Sequence, residues 1–135
     1  MMSRSFTLKK RIYYHNTDSE GVVYYADYLE FFEEARTEHL LSLGIDLREA
    51  KSRGVLFAVS ALDIKYRRPA RYGDSIDVIS KIEKIKPASI LFSHVIAKDG
   101  SPIVECSTKL VSIGADFKPA AIPESIFELL RGDAQ

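Results

Sequence analysis

The chain has 135 residues, 46% of them hydrophobic, a length that suits one domain with a real core and is too short for two ordinary ones. Its 19 basic residues balance 19 acidic ones, so no overall charge draws it to nucleic acid or to an anionic membrane surface. The single cysteine, Cys106, excludes an internal disulfide and a cysteine metal site, which predicts a reducing, cytoplasmic setting.

From Phe6 to Tyr14 the residues alternate, with Phe6, Leu8, Ile12 and Tyr14 on one face and Thr7, Lys9 and Arg11 on the other, which predicts a half-buried strand broken only by Lys10. The turn residues Asn16 to Gly21 stop it. From about Tyr25 to Leu43 the apolar residues Tyr28, Leu29, Phe32, Ala35, Leu40 and Leu43 recur at spacings of three and four, the mark of a helix with one broad buried face, and Gly44 caps it. Asp27, Glu30, Glu33 and Glu34 suit the positive end of that helix, and Arg36 stands three residues after Glu33, a spacing that allows an ion pair. A short helical piece is expected over Asp46 to Arg53.

The remainder reads as strands. Val55 to Tyr66 begins apolar on both faces and then alternates, which predicts a strand well covered at its start. Its apolar run, Val55 to Leu62, contains Ser60 and falls far short of the roughly 20 residues a membrane helix needs, so no membrane insertion is expected. After a turn over Pro69 to Asp74 come strands at Ser75 to Ile85, Ser89 to Ala97 and Pro102 to Ile113, joined by short connections that imply antiparallel neighbours. A helical piece over Glu124 to Leu130 ends the pattern. One strand, one long helix and four strands predict an α+β domain over 1–135 whose five-stranded antiparallel sheet covers the helix.

The sequence holds no dinucleotide, P-loop or serine-hydrolase motif and no histidine pair at metal-ligand spacing. His39 and His94 sit within elements and read as structural, and Cys106 reads as a buried thiol. Asp18 stands apart, in a turn between a strand and a helix start, where unpaired backbone N–H groups bind anions. By local pattern alone it is a turn former or cap.

The run Tyr14-His15-Asn16-Thr17-Asp18-Ser19-Glu20-Gly21-Val22-Val23-Tyr24-Tyr25-Ala26-Asp27-Tyr28-Leu29 resembles the signature of the hotdog-fold acyl-CoA thioesterases, in particular the 4-hydroxybenzoyl-CoA thioesterase family and its Tol-Pal-associated branch. Glu34-Ala35-Arg36-Thr37-Glu38, Tyr66-Arg67-Arg68-Pro69-Ala70 and Gly73-Asp74 continue the likeness. The resemblance implies a hotdog fold, hydrolysis of an acyl-CoA to acid and coenzyme A, and no metal or other cofactor. It gives Asp18 the part of nucleophile or general base and the Tyr25 backbone N–H that of oxyanion donor. It also implies a homodimer paired into a homotetramer, with the strand from Val55 the candidate for pairing.

Coenzyme A carries phosphates, for which Arg67, Lys84 and Lys86 are the chosen contacts among a wider set with Arg68, Arg71 and Lys81. Three positions depart from the branch: Asn16 stands where an acid is common, Tyr25 where histidine is, and Asp27 where asparagine is. His15 is a candidate to compensate in part for the missing histidine. Glu34 is the alternative catalytic carboxylate, since another hotdog subclass carries its acid on the helix. A hotdog hydratase and a non-catalytic acyl-thioester-binding protein are the alternative functions.

Overall fold

The computed structural model describes residues 4–134. In chain order it contains β1 (Ser5–Arg11), α1 (Asp27–Ser42), α2 (Leu47–Ser52), β2 (Leu56–Tyr66), β3 (Ser75–Lys86), β4 (Ser89–Lys98), β5 (Ser101–Ile113) and α3 (Glu124–Ala134). The strands form one sheet in the order β1-β3-β4-β5-β2, with every neighbouring pair antiparallel. Two-residue turns make β3, β4 and β5 a meander: Pro87-Ala88 joins the first pair and Asp99-Gly100 the second. Asp99 and Gly100 lie at φ 52° and 79°, the left-handed pair that matches strand twist in a tight hairpin.

The strict alternation of β3 and β4 puts Ile76, Val78, Ile82, Ile90, Phe92 and Ile96 on one buried face, against which α1 lies. Tyr28, Phe31, Phe32 and Ala35 of α1 meet Val78, Ile96 and Val104 in one cluster. Leu40 meets Ile82, Phe92 and Leu110 in a second, which Ile126 and Leu130 of α3 complete. Each large apolar side chain fully buried in this way contributes about 1.5–3 kcal/mol. No helix among the described residues is long and apolar enough to cross a membrane.

Several local expectations need correction or refinement. The first strand stops at Arg11, and Tyr14 is 72% exposed, because the buried Asn16 side chain accepts the Tyr13 N–H at 2.9 Å and curls residues 14–16 into a 3-10 turn. Leu29 lies at the margin of the helix's buried face, where Phe31 and His39 are buried instead. The strand from Val55 is covered at its start, where Val55 is buried and Phe57 packs on the core, but the coverage does not last: β2 is an edge strand, with Val59 and Leu62 exposed. Arg36 makes no ion pair with Glu33, or with any other carboxylate among the described residues.

Lys10, the break in the β1 pattern, is accommodated by charge: its ammonium lies 3.0 Å from Glu34 and 5.1 Å from the centre of the Phe31 ring. The terminal helix runs past its expected end to reach a buried polar cluster. There His39 bonds Ser80 Oγ through Nδ1 at 2.9 Å and Asp133 Oδ2 through Nε2 at 3.0 Å.

Candidate active site

The loop from β1 to α1 and the crossover from β2 to β3 meet at one end of the sheet. Val22 bridges Arg71, Val23 N–H donates to the Ala70 carbonyl at 2.9 Å, and Gly73 N–H donates to that of Ile12 at 2.9 Å. Between the two segments lies a cleft of about 310 Å³ whose lining includes Asp18, Tyr25, Tyr28, Tyr66, Arg67 and Pro69.

Asp18 begins a tight turn. Its carbonyl accepts the Gly21 N–H at 3.0 Å, its N–H donates to Val22 at 2.9 Å, and Gly21 takes φ 80°, a conformation that costs a side-chain-bearing residue. Carboxylate oxygen Oδ1 accepts the Glu20 N–H at 2.8 Å, which fixes the side chain of this half-buried residue while Oδ2 has no partner among the described residues. The turn-forming role expected of an aspartate here is therefore real, and it occupies one oxygen only.

Tyr25 lies just before α1, whose N-cap is Ala26 with no side-chain cap. The first turn is partly closed by Asp27 N–H to Tyr24 at 2.8 Å and Leu29 N–H to Ala26 at 3.1 Å. Among the described residues, the Tyr25 N–H donates to no acceptor. The Tyr66 hydroxyl donates to the Tyr25 carbonyl at 3.1 Å and holds the neighbouring peptide, while the buried Tyr28 hydroxyl accepts the Ala70 N–H at 3.0 Å. Burial pushes both phenols above their ordinary pKa, so both stay protonated near neutrality.

Two of the three departing positions are in contact. Asn16 Nδ2 donates to Asp27 Oδ2 at 3.2 Å, tying the 3-10 turn to the first helical residue. The third departure, Tyr25, leaves its side chain 61% exposed. His15 is exposed and stacked on Tyr13 at 6.0 Å, outside the residues that line the cleft.

The phosphate candidates divide. Arg67 lines the Asp18 cleft and pairs through Nε with Glu105. Lys84 and Lys86 line a separate cleft of about 230 Å³ with Lys109. Tyr66 aligns through Val104 with Ile96, so the hairpin residue Ser89 is seven residues away along β4, about 23 Å at the usual strand rise. Within one protomer the two lysines therefore stand far from Asp18. Glu34 lines another space, beside Lys10 and β1.

Sequence reasoning missed Tyr28 and Tyr66 as cleft residues. The available signal was their class: six of the seven tyrosines are exposed, and the seventh, Tyr28, lines the cleft. Among the described residues no cluster of three or more His, Cys, Asp or Glu side chains is placed to hold a metal. Cys106 is buried, its thiol pushed up by desolvation, and bonded to Thr108 at 3.4 Å.

Residues 14–130 match the family model of the thioesterase-like superfamily. The chain belongs to that superfamily. Acyl-CoA thioesterase YbgC of Haemophilus influenzae is 32% identical over 128 residues, covering 93% of this chain and 94% of its own. Among solved structures, a hypothetical protein of Thermus thermophilus superposes with a TM-score of 0.89 at 27% identity, over 95% of this chain and 98% of its own. A probable thioesterase of Bartonella henselae gives 0.83 at 28% identity, over 89% and 100%. The architecture of this member of the superfamily is accordingly the hotdog fold, with α1 against a five-stranded antiparallel sheet.

Proposed function

We propose that the protein hydrolyses acyl-CoA thioesters through Asp18 and the Tyr25 backbone N–H. The observation that carries the reading is their convergence: a carboxylate with one uncommitted oxygen and a helix-end N–H without an acceptor border the same cleft. A thioester carbonyl placed against that N–H is polarised. Asp18 then either takes a proton from water, whose hydroxide adds to the carbonyl carbon, or adds directly and leaves an anhydride that water opens. The tetrahedral oxyanion faces the N–H, a contact whose loss costs on the order of 3 kcal/mol in other enzymes. The carbon–sulfur bond breaks, coenzyme A leaves as its thiol, and no cofactor is required.

Arg67 is the phosphate contact supplied by the same protomer. Lys84 and Lys86 serve a cleft of a second copy, which requires the dimer that the family resemblance implies. The exposed β2 edge, with unpaired backbone groups and uncovered Val59 and Leu62, supports a second β2 as its neighbour, and pairing of dimers completes a tetramer. A cytoplasmic site of action fits substrates made and used there.

The test is thiol release over a panel of acyl-CoA lengths, with the free acid identified by mass spectrometry. Stoichiometric acid and thiol are expected. Hydration of an enoyl-CoA without thiol release, or binding without turnover, would replace this reading with one of the alternatives.

A further inference from the structure

Of the three tyrosines that border the Asp18 cleft, one carries a buried hydroxyl proton with no acceptor in the fold. The Tyr25 side chain is largely exposed, so water satisfies its hydroxyl, and the Tyr66 hydroxyl donates to the Tyr25 carbonyl at 3.1 Å. Tyr28 differs from both. It is 3% exposed, its oxygen accepts the Ala70 N–H at 3.0 Å, and its own proton has no acceptor among the described residues. A buried tyrosine hydroxyl both donates and accepts, and leaving its proton unpaired is costly unless a ligand or water meets it.

The ring is fixed in place. It meets Phe31 edge-on with centroids 6.0 Å apart and lies tilted on Tyr66 at 5.7 Å, so packing holds the ring while Ala70 holds the oxygen. Ala70 follows Pro69, a lining residue of the cleft, and its carbonyl accepts the N–H of Val23, another lining residue. The phenol oxygen therefore sits where the two cleft-forming segments are joined. Tyr28 also stands three residues after Tyr25, about one helical turn on, so the two share a side at the start of α1. Accepting an N–H polarises a hydroxyl and strengthens it as a donor. Burial, the largest cause, pushes the phenol above its ordinary pKa, and the charge of Asp18 acts in the same direction, so the group stays a neutral donor in the cleft of that carboxylate.

We propose that the Tyr28 hydroxyl donates to the carbonyl oxygen of the bound thioester, as a second oxyanion donor beside the Tyr25 backbone N–H. The proposal rests on the thioesterase reading for the identity of the acceptor. Backbone N–H groups and side-chain hydroxyls serve together in such sites, because fixed donors aimed at the oxygen need no reorganisation as it gains charge. Both hydrogen bonds strengthen as the carbonyl carbon becomes tetrahedral. No proton leaves Tyr28, and the carbon–sulfur bond breaks as described above.

The test reads the carbonyl itself. An acyl-CoA carrying carbon-13 at the thioester carbon is bound to the Asp18→Asn variant, which slows turnover, and its carbonyl stretch is recorded by isotope-edited infrared spectroscopy. The bound band is expected at lower wavenumber than in solution, and Tyr28→Phe in the same background is expected to move it back. With Asp18 in place, Tyr28→Phe is expected to lower kcat by about 10²-fold with KM within a few-fold. A Tyr28 that only accepts the Ala70 N–H would lower the urea midpoint on substitution and leave the band where it was. A band unmoved by Tyr28→Phe overturns the proposal, as does an unchanged kcat. If Tyr28→Phe does not fold, a ring-fluorinated tyrosine at the same position replaces it, being nearly the same shape and a stronger donor. The band is then expected to move further down, and a band that stays put overturns the proposal. A Tyr28-dependent band in a protein that releases no thiol would sink the hydrolase reading and leave the hydrogen bond standing.

Discussion

At the scale of single residues, the two carboxylate oxygens of Asp18 divide: Oδ1 accepts the Glu20 N–H and Oδ2 has no partner among the described residues. The bond that holds the turn also fixes the side chain, which is the geometry that the proposed chemical role needs. The Asn16–Asp27 bond is a second local device, and it yields a sharp prediction. Asn16→Asp alone places two carboxylates about the length of a hydrogen bond apart and is expected to cost about 1–3 kcal/mol in urea denaturation. Asn16→Asp with Asp27→Asn is expected to regain most of that loss, and failure of the double variant to recover would show that the two positions are independent. Tyr66→Phe removes one bond to the Tyr25 carbonyl, worth about 1 kcal/mol, so thioester turnover should fall roughly fivefold with the fold intact. The aspartate and its turn were legible in the sequence. The commitment of only one of its oxygens was not, because that depends on which way a side chain rotates.

At the scale of elements, the helix and strands follow their periodicities, and the errors fall where a tertiary partner overrides the pattern. Tyr14 belongs to the alternation of β1 by spacing, yet Asn16 bends the chain away before it. His39, polar and unremarkable in the sequence, is buried because residues 41 and 94 positions away, Ser80 and Asp133, meet both its ring nitrogens. That cluster ties α3 to α1 and β3. Asp133→Ala removes a buried hydrogen bond to His39, a loss of about 1–3 kcal/mol, and should speed hydrogen exchange along α3 more than along the meander. Uniform exchange across both would deny the clasp its role. His94 supplies the pH dependence. Burial, then the charges of Arg36 and His39, lower its pKa from 6.5 to about 3. The unfolded chain therefore takes up a proton that the folded one refuses, so the stabilisation is complete above pH 6.5 and is lost progressively as pH falls toward 3. Urea midpoints should drop between pH 7 and pH 4.5 for the wild type and drop less for His94→Gln.

At the scale of the whole molecule, the sheet order explains what one protomer can and cannot assemble. The crossover from β2 to β3 carries Arg67 and Pro69 to the loop that holds Asp18, so the carboxylate, the helix-end N–H and one arginine come together in a single chain. The same order puts Lys84 and Lys86 at the opposite end, and it leaves β2 open along its length. Chain order and element type were readable from residue patterns, whereas which strand becomes an edge depends on pairings between distant segments. If β2 pairs with a second copy as proposed, Leu62→Asp on that open strand shifts sedimentation velocity toward a smaller species, and unchanged sedimentation would rule that pairing out.

The role proposed for Asp18 is chemical and does not stop at shaping the loop. It is tested most directly by measuring, on one acyl-CoA that the wild type turns over, both thiol release and calorimetric affinity for Asp18→Asn, which can keep the Glu20 bond through its amide oxygen. A catalytic Asp18 gives turnover lower by about 10²–10⁴-fold with affinity within a few-fold of the wild type. Turnover equal to the wild type, or a loss matched by an equal loss of affinity, would contradict it.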